Sequence, residues 1–133
     1  MIVVEAEFKL KKVAFAEKWK AVGKSEEIIR ARFYKYPQEP SVGCIFQNID
    51  KGKFYGVPSV SAAYYIDRLG LKGTRVGNAE ISEKHANMIV NTGNAKAKDV
   101  IALARKIKSA VKKKFRIELA PEVQFIGFEK PPF

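Results

Sequence analysis

Residues near the start of the chain alternate between apolar and charged side chains. After Val4, the apolar residues Ala6, Phe8 and Leu10 are separated by single charged residues. Because successive side chains of a strand point to opposite faces, this spacing is typical of a strand with one buried face. We therefore predict a strand over residues 2–10.

The pattern over residues 11–36 is helical but interrupted. Phe15 and Trp19 could belong to a short apolar face, Gly23 breaks it, and Ser25 is followed by two glutamates. A serine with acidic residues in the next turn is a common start of a helix. The sequence predicts two short helices that serve packing and carry no chemistry.

Residues 98–115 give the clearest helical pattern. Apolar residues recur there at three- and four-residue spacing: Val100, Ile101, Ala104, Ile107, Ala110, Val111 and Phe115. The opposite face is basic: Arg105, Lys106, Lys108, Lys112, Lys113 and Lys114. We interpret this face as solvated, since cations are favoured near a helix C-terminus, but a nucleic-acid-binding stripe remains an alternative.

Shorter elements are expected between these helices. Residues 50–58 contain enough Gly and Pro to predict a loop, and Ser59 is expected to cap a helix that closes at Gly70. Residues 71–81 are punctuated by glycines without the GxGxxG spacing of a dinucleotide-binding loop. We expect tight turns and close backbone approach there rather than a cofactor phosphate site.

Two strands are predicted in the second half of the chain. Residues 88–91 form a short apolar run between turn residues, which is typical of a buried strand. Val123, Phe125 and Gly127 would share one face of a closing strand, with Glu122 just before it. The predicted fold class is α+β, a small, mostly antiparallel sheet packed against one long and several short helices.

Length and cysteine content indicate the number of domains and the cellular compartment. A chain of 133 residues fits one domain and can bury a core without covalent staples. With one cysteine no intrachain disulfide can form, and no apolar run is long enough for a signal peptide or a membrane span. We expect a cytoplasmic protein that does not associate with membranes.

The charge balance indicates the chemistry of the partners. The net charge of +11 favours anionic ligands, either nucleic acid, an acidic membrane surface or a phosphorylated small molecule. His85 is the only histidine, and no second ligand stands at metal-binding spacing, so we expect no metal site. Charge alone does not choose among the anionic partners.

The only cysteine, Cys44, follows Gly43 and precedes a short apolar pair. This arrangement places the thiol at the edge of a strand or loop. A free cysteine is most often a small buried apolar residue, and the residues around Cys44 do not by themselves assign it another role.

Several stretches together resemble, in order and spacing, the C-terminal substrate-binding domain of the UDP-N-acetylenolpyruvoylglucosamine reductase (MurB) family. They are residues 41–48, 66–73, 82–94 and 121–127. The resemblance implies that residues 1–10 correspond to the strand leading out of that family's flavin domain and residues 11–133 to its substrate-binding domain. The family's FAD-binding domain would be absent from this sequence.

The resemblance implies an oxidoreductase of peptidoglycan precursor synthesis. In this family NADPH reduces FAD, hydride passes to C3 of the enolpyruvyl group of UDP-N-acetylglucosamine enolpyruvate, and a protein acid protonates C2. FAD and NADPH would therefore serve the family reaction, but we expect neither to be bound by this chain alone. A flavin-binding domain, in the same or another chain, would be its partner.

Two residues of this sequence match the catalytic positions of the family. Cys44 aligns with the proton donor, which is serine in many members. A thiol is a stronger acid than a serine hydroxyl, yet it is mostly protonated at neutral pH. Glu122 aligns with the essential glutamate, which would polarise the substrate carboxylate or stabilise the enolic intermediate.

Further residues are implied in substrate binding. Asn48 matches a substrate-contacting position and His85 a site-lining position, while Lys72, Arg75 and Lys84 are candidates for the UDP diphosphate on grounds of charge. Two other functions stay open: a stand-alone UDP-sugar-binding module without redox activity, and a basic nucleic-acid-binding domain.

Overall fold

The computed structural model describes residues 3–49 and 60–133, and the chain divides into two compact units. The first ends at Arg32 and the second is Phe33–Phe133. The loop predicted over residues 50–58 and the predicted helix cap Ser59 lie outside the described residues.

The prediction of a strand over residues 2–10 is wrong for residues 3–10, which the structure describes. Residues 3–14 form neither helix nor strand, and residues 3–10 are all exposed. A strand needs a neighbour to satisfy its backbone N–H and C=O groups, and no strand of the described residues pairs with this segment. Alternation alone therefore did not produce a strand.

A single helix, α1, covers Phe15–Lys35, so the prediction of two short helices is also wrong. Gly23 lies within it. Glycine in a helix interior costs only about 1 kcal/mol relative to alanine, which the flanking helix-forming residues offset. No residue of α1 is buried.

The second unit contains a four-stranded antiparallel sheet. Its strands are β1 (Ser41–Cys44), β2 (Arg75–Val76), β3 (Ala79–Ile81) and β4 (Met88–Asn91), in the order β1-β4-β3-β2. The buried strand predicted over residues 88–91 is confirmed. Helices and an antiparallel sheet in one domain confirm the α+β fold class.

The glycine-rich run forms the β2–β3 hairpin, which sequence patterning did not predict because its strands are so short. Gly77 stands in the turn with φ of +56°, a conformation that favours glycine. A Cβ atom there would lie 2.7 Å from Oδ2 of Asp99. The predicted tight turn and close approach are thus confirmed at this glycine.

Helix α3 (Ala97–Phe115) packs on β2 and β3. It confirms the helix predicted over residues 98–115. Its fully buried residues are Leu103, Ala104, Ile107 and Val111. Its basic residues are exposed except for Lys108, which is partly buried. Most of the basic face is therefore solvated, as interpreted from the sequence.

Helix α2 (Ala62–Asp67) is shorter than predicted and has a different cap. The hydroxyl of Ser61 accepts a hydrogen bond from the backbone N–H of Tyr64 at 3.2 Å. Gly70 follows the helix with φ of +63°. The glycine stop is confirmed, with the helix itself ending at Asp67.

The closing strand predicted around Val123 and Phe125 does not form. Only one antiparallel bridge, between Phe46 and Pro121, is present there in the described residues. Proline has no backbone N–H to donate to a ladder, which limits the pairing to the bonds on either side of it.

Among the described residues, no helix combines the length and the apolar character needed to cross a bilayer.

Candidate functional site

An open cavity of about 450 Å³ lies in the second unit. Its wall is built from the last turn of α1, the end of β1, helix α2, the loop after α2 and the segment that leads into β4. Five of the predicted site residues line it: Cys44, Asn48, Lys72, Lys84 and His85. Residues that are far apart in sequence thus meet at one surface.

Cys44 is the last residue of β1 and pairs with Met88 of β4. The register shifts between Ser41 and Cys44, where Gly43 has φ of +81°. The thiol is half-buried, and burial, together with the negative charge of Glu122, raises the pKa of Cys44 above its usual value. The thiol is therefore protonated at neutral pH and can donate a proton.

Glu122 reaches the neighbourhood of Cys44 through backbone pairing rather than through the cavity wall. Its N–H donates to the carbonyl of Ile45 at 2.8 Å, and the N–H of Gln47 donates to the carbonyl of Ala120 at 2.9 Å. Glu122 is itself exposed. The Phe46–Pro121 bridge thus places the two predicted catalytic residues within electrostatic reach of each other.

Asn87 fixes the segment that follows Cys44, and sequence reasoning missed it. Its side-chain amide donates to the carbonyl of Phe46 at 2.7 Å and accepts from the N–H of Phe46 at 3.1 Å. Its backbone carbonyl accepts from the N–H of Ile45 at 2.9 Å. Asn87 is 3% exposed. No sequence pattern distinguishes such an asparagine from a turn residue.

Asn48 also has a structural contact. Its side-chain oxygen accepts a hydrogen bond from the backbone N–H of Ala62 at 3.3 Å, at the start of α2. This bond satisfies one of the helix's free N-terminal donors. Asn48 therefore joins the end of the Cys44 segment to helix α2 while lining the cavity.

His85 lies flat against Tyr36, with ring centroids 5.4 Å apart and planes inclined by 16°. Nδ1 of His85 is buried and has no hydrogen-bond partner in the part of the chain that the structure describes. Burial, and then the positive charges of Lys35 and Lys72, lower the pKa of His85, and only the residue's own backbone opposes this shift. The ring is therefore neutral at pH 7, and Tyr36 and Lys35 are site residues that the sequence did not indicate.

The cations of the predicted site do not all converge. Lys72 pairs with Asp67 at 2.8 Å, and Nζ of Lys84 donates to the carbonyl of Phe33 at 3.3 Å. Arg75 is absent from the cavity wall and pairs with Glu80 across the β2–β3 hairpin. Lys72 and Lys84 are thus placed at the cavity and Arg75 is not.

In the described residues no group of three His, Cys, Asp or Glu side chains could hold a metal ion. The fold and the cavity define a class of domain: α+β, with a basic and partly aromatic cavity that presents a protonated thiol.

The chain belongs to the family of the UDP-N-acetylenolpyruvoylglucosamine reductase C-terminal domain, whose model matches residues 35–126. A reductase of that name from Chloroherpeton thalassium is 40% identical over 127 residues, covering 95% of this chain and 40% of the relative. The one from Chlamydia muridarum is 43% identical over 110 residues, covering 82% of this chain and 34% of the relative.

The same family appears among solved structures. The crystal structure of UDP-N-acetylenolpyruvylglucosamine reductase (MurB) from Thermus caldophilus is 40% identical, with a TM-score of 0.58, over 77% of this chain and 34% of that one. The chain therefore spans between about a third and two fifths of the length of these relatives. Cys44, Asn48, Lys72, His85 and Glu122 all fall within the residues that the family model matches.

Proposed function

We propose that this chain is the substrate-binding part of a UDP-N-acetylmuramate dehydrogenase, acting on UDP-N-acetylglucosamine enolpyruvate in peptidoglycan precursor synthesis in the cytoplasm. The observation that carries the proposal is the half-buried, protonated thiol of Cys44 at the wall of a basic cavity. Membership in a family of reductases supports it.

The substrate is an anion, and the cavity is suited to one. Lys35, Lys72 and Lys84 line it, and Asp67 is the one carboxylate among the described lining residues. Ammonium groups attract a diphosphate as compact point charges. In this proposal Lys72 and Lys84 bind the diphosphate of UDP, with His85 lining the site as a neutral ring. Arg75 does not line the cavity, and in this proposal it attracts the anionic substrate only from a distance.

The proton-transfer step uses the thiol. Cys44 donates its proton to C2 of the enol that follows hydride addition at C3, and its raised pKa keeps the proton in place until then. Glu122 stabilises the enolic intermediate or polarises the substrate carboxylate beside Cys44.

FAD, reduced by NADPH, supplies the hydride when it is bound. The glycines of residues 70–77 form turns, and no flavin-binding loop is recognised in this chain's sequence. We assign FAD to a partner domain that corresponds to the part of the relatives outside this match. The division at residue 10 stays a prediction.

The binding step can be measured on the chain itself. We expect saturable calorimetric binding of UDP-N-acetylglucosamine enolpyruvate, weaker at high salt, because screening reduces ion-pair attraction. Lys72→Ala should weaken it by about tenfold, the effect of losing roughly 1.4 kcal/mol of charge interaction. Lys106→Ala, on the exposed face of α3, is the matched control. Equal affinities for the two variants would contradict the placement of the diphosphate.

The chemical step needs a flavin source. A chimera in which this chain replaces the matching C-terminal part of the Chloroherpeton thalassium relative would allow flavin reoxidation to be followed by absorbance. We expect Cys44→Ala to slow reoxidation by about 10²–10⁴-fold, the usual loss of a general acid, and Cys44→Ser to retain activity. Full activity of Cys44→Ala would remove the thiol from the mechanism.

Two other functions remain as outcomes of the same experiments. Substrate binding without flavin reoxidation in the chimera would favour a UDP-sugar-binding module. Binding of nucleic acid with a steep salt dependence, in place of the nucleotide sugar, would favour the exposed basic face of α3 as the functional surface.

A further inference from the structure

The segment from Phe125 to Phe133 folds back onto the bridge that joins the two predicted catalytic residues. The ring of Phe133 lies 5.8 Å from that of Phe46 and 5.1 Å from that of Phe125, edge to face in both cases. Phe46 follows Cys44 by two residues, and Phe125 follows Glu122 by three. One side chain thus touches both halves of the site's backbone framework.

The segment is also tied to α3. Nε of Arg105 donates a hydrogen bond to the carbonyl of Pro132 at 2.7 Å, next to Phe133 in the chain. Phe46 has no exposed surface. The backbone next to Phe133 is therefore hydrogen-bonded to α3, and the Phe133 ring packs against the fully buried Phe46. The family model ends at residue 126, so this contact lies outside the match.

Support from the side is needed because the backbone pairing at the bridge is short. Around Pro121 the backbone bonds are those from Gln47 to Ala120 and from Glu122 to Ile45. The side chain of Gln47 adds one bond to the carbonyl of Pro121 at 3.1 Å. A ladder this short frays easily unless packing holds its two segments together.

We propose that Phe133 is a positioning residue, which packs between Phe46 and Phe125 and thereby fixes the separation between the Cys44 thiol and the Glu122 carboxylate. The proposal rests on the proposed function in so far as these two residues form the catalytic pair. Phe133 is not part of the described wall of the cavity that Cys44 lines, and it acts through the backbone segments that carry the pair.

The ionisation of Cys44 reports this separation without substrate or flavin. The charge of Glu122 raises the pKa of the thiol, and a Coulomb interaction weakens as distance grows. Among the described residues, the other charged or titratable groups at the cavity are Lys35, Tyr36, Tyr64, Asp67, Lys72, Lys84 and His85. All of these groups are present in every variant below. Their contributions to the pKa of Cys44 therefore cancel when two variants that differ only at Glu122 are compared.

The experiment is a cycle of variants read by thiol alkylation. Cys44 is the chain's only cysteine, so the pH dependence of its reaction with iodoacetamide gives its pKa. Glu122→Gln should lower that pKa in the wild-type background. In Phe133→Ala the same substitution should lower it by about half as much or less, since doubling a separation halves a Coulomb energy.

Phe128→Ala is the matched control. It removes a ring from the same segment, but Phe128 contacts Phe125 and leaves the contact of Phe133 with Phe46 intact. The effect of Glu122→Gln should be unchanged in this background. An equal reduction in Phe128→Ala would overturn the specific role of Phe133.

The outcomes separate the two proposals. No change of the Cys44 pKa on Glu122→Gln in the wild type would overturn the catalytic pairing. A full-sized change in both the wild type and Phe133→Ala would overturn only the positioning role. If Phe133→Ala does not fold, Arg105→Ala, which releases Pro132 at an exposed site, replaces it. A smaller Glu122 effect in that variant supports the proposal, and an unchanged effect overturns it.

Discussion

Replacing Asn87 with alanine tests the framework behind Cys44. The amide of Asn87 makes hydrogen bonds of 2.7 and 3.1 Å with the carbonyl and the N–H of Phe46. Phe46 has no exposed surface and Asn87 is 3% exposed, so water does not replace these bonds unless the structure opens. The variant therefore leaves two backbone groups buried without their partners.

The magnitude follows from the cost of unsatisfied polar groups. A buried donor or acceptor without a partner costs about 1–3 kcal/mol, so two such groups predict a loss of about 2–4 kcal/mol in the free energy of unfolding after some relaxation. Domains of this size have a stability of only about 5–15 kcal/mol. Asn87→Asp should also be destabilising, because a carboxylate accepts from the N–H of Phe46 but cannot donate to its carbonyl.

Urea unfolding followed by circular dichroism measures the effect, with the slope checked for two-state behaviour. Asn94→Ala, at an exposed position, is the control and should change stability by less than about 0.5 kcal/mol. A loss below about 1 kcal/mol for Asn87→Ala, with the fold retained, would refute the view that this amide supports the segment carrying Cys44.

Two further predictions concern charge and backbone geometry. Because the pKa of His85 is lowered in the fold, the unfolded chain takes up the proton first as pH falls below about 6.5, so the free energy of unfolding should decrease from there to the lower, folded-state pKa. In an NMR titration Lys35→Ala should raise the His85 midpoint, and an unchanged midpoint would contradict the assigned cause. Gly77→Ala should destabilise more than Gly70→Ala in urea unfolding, since both glycines have positive φ but only the new methyl at position 77 would meet Asp99. Equal losses would show that Asp99 moves away without cost.

Several of the residues predicted for the site lie together in the structure. Cys44 and Lys84 were singled out from the resemblance and from charge, and the structure places both at one cavity with Lys72 and His85. Tyr36 was missed because its role is a stack on a residue far along the chain. Arg75 was included on charge alone, and charge does not reveal that Glu80 stands opposite it in the hairpin.

The sequence by itself determined the elements whose signals are local. The apolar spacing of α3, the apolar run of β4 and the glycine after α2 all lie within a few residues, and each formed as expected. The tertiary structure decided whatever needed a distant partner. Residues 3–10 have the alternation of a strand, but no strand of the described residues pairs with them. The segment around Phe125 forms no strand, since the pairing there is a single bridge at Pro121, which has no N–H to donate. The proximity of Glu122 to Cys44 is of the same kind, because only the folded chain brings Glu122 into hydrogen-bonding distance of Ile45, the residue after Cys44 and 77 positions earlier in the sequence.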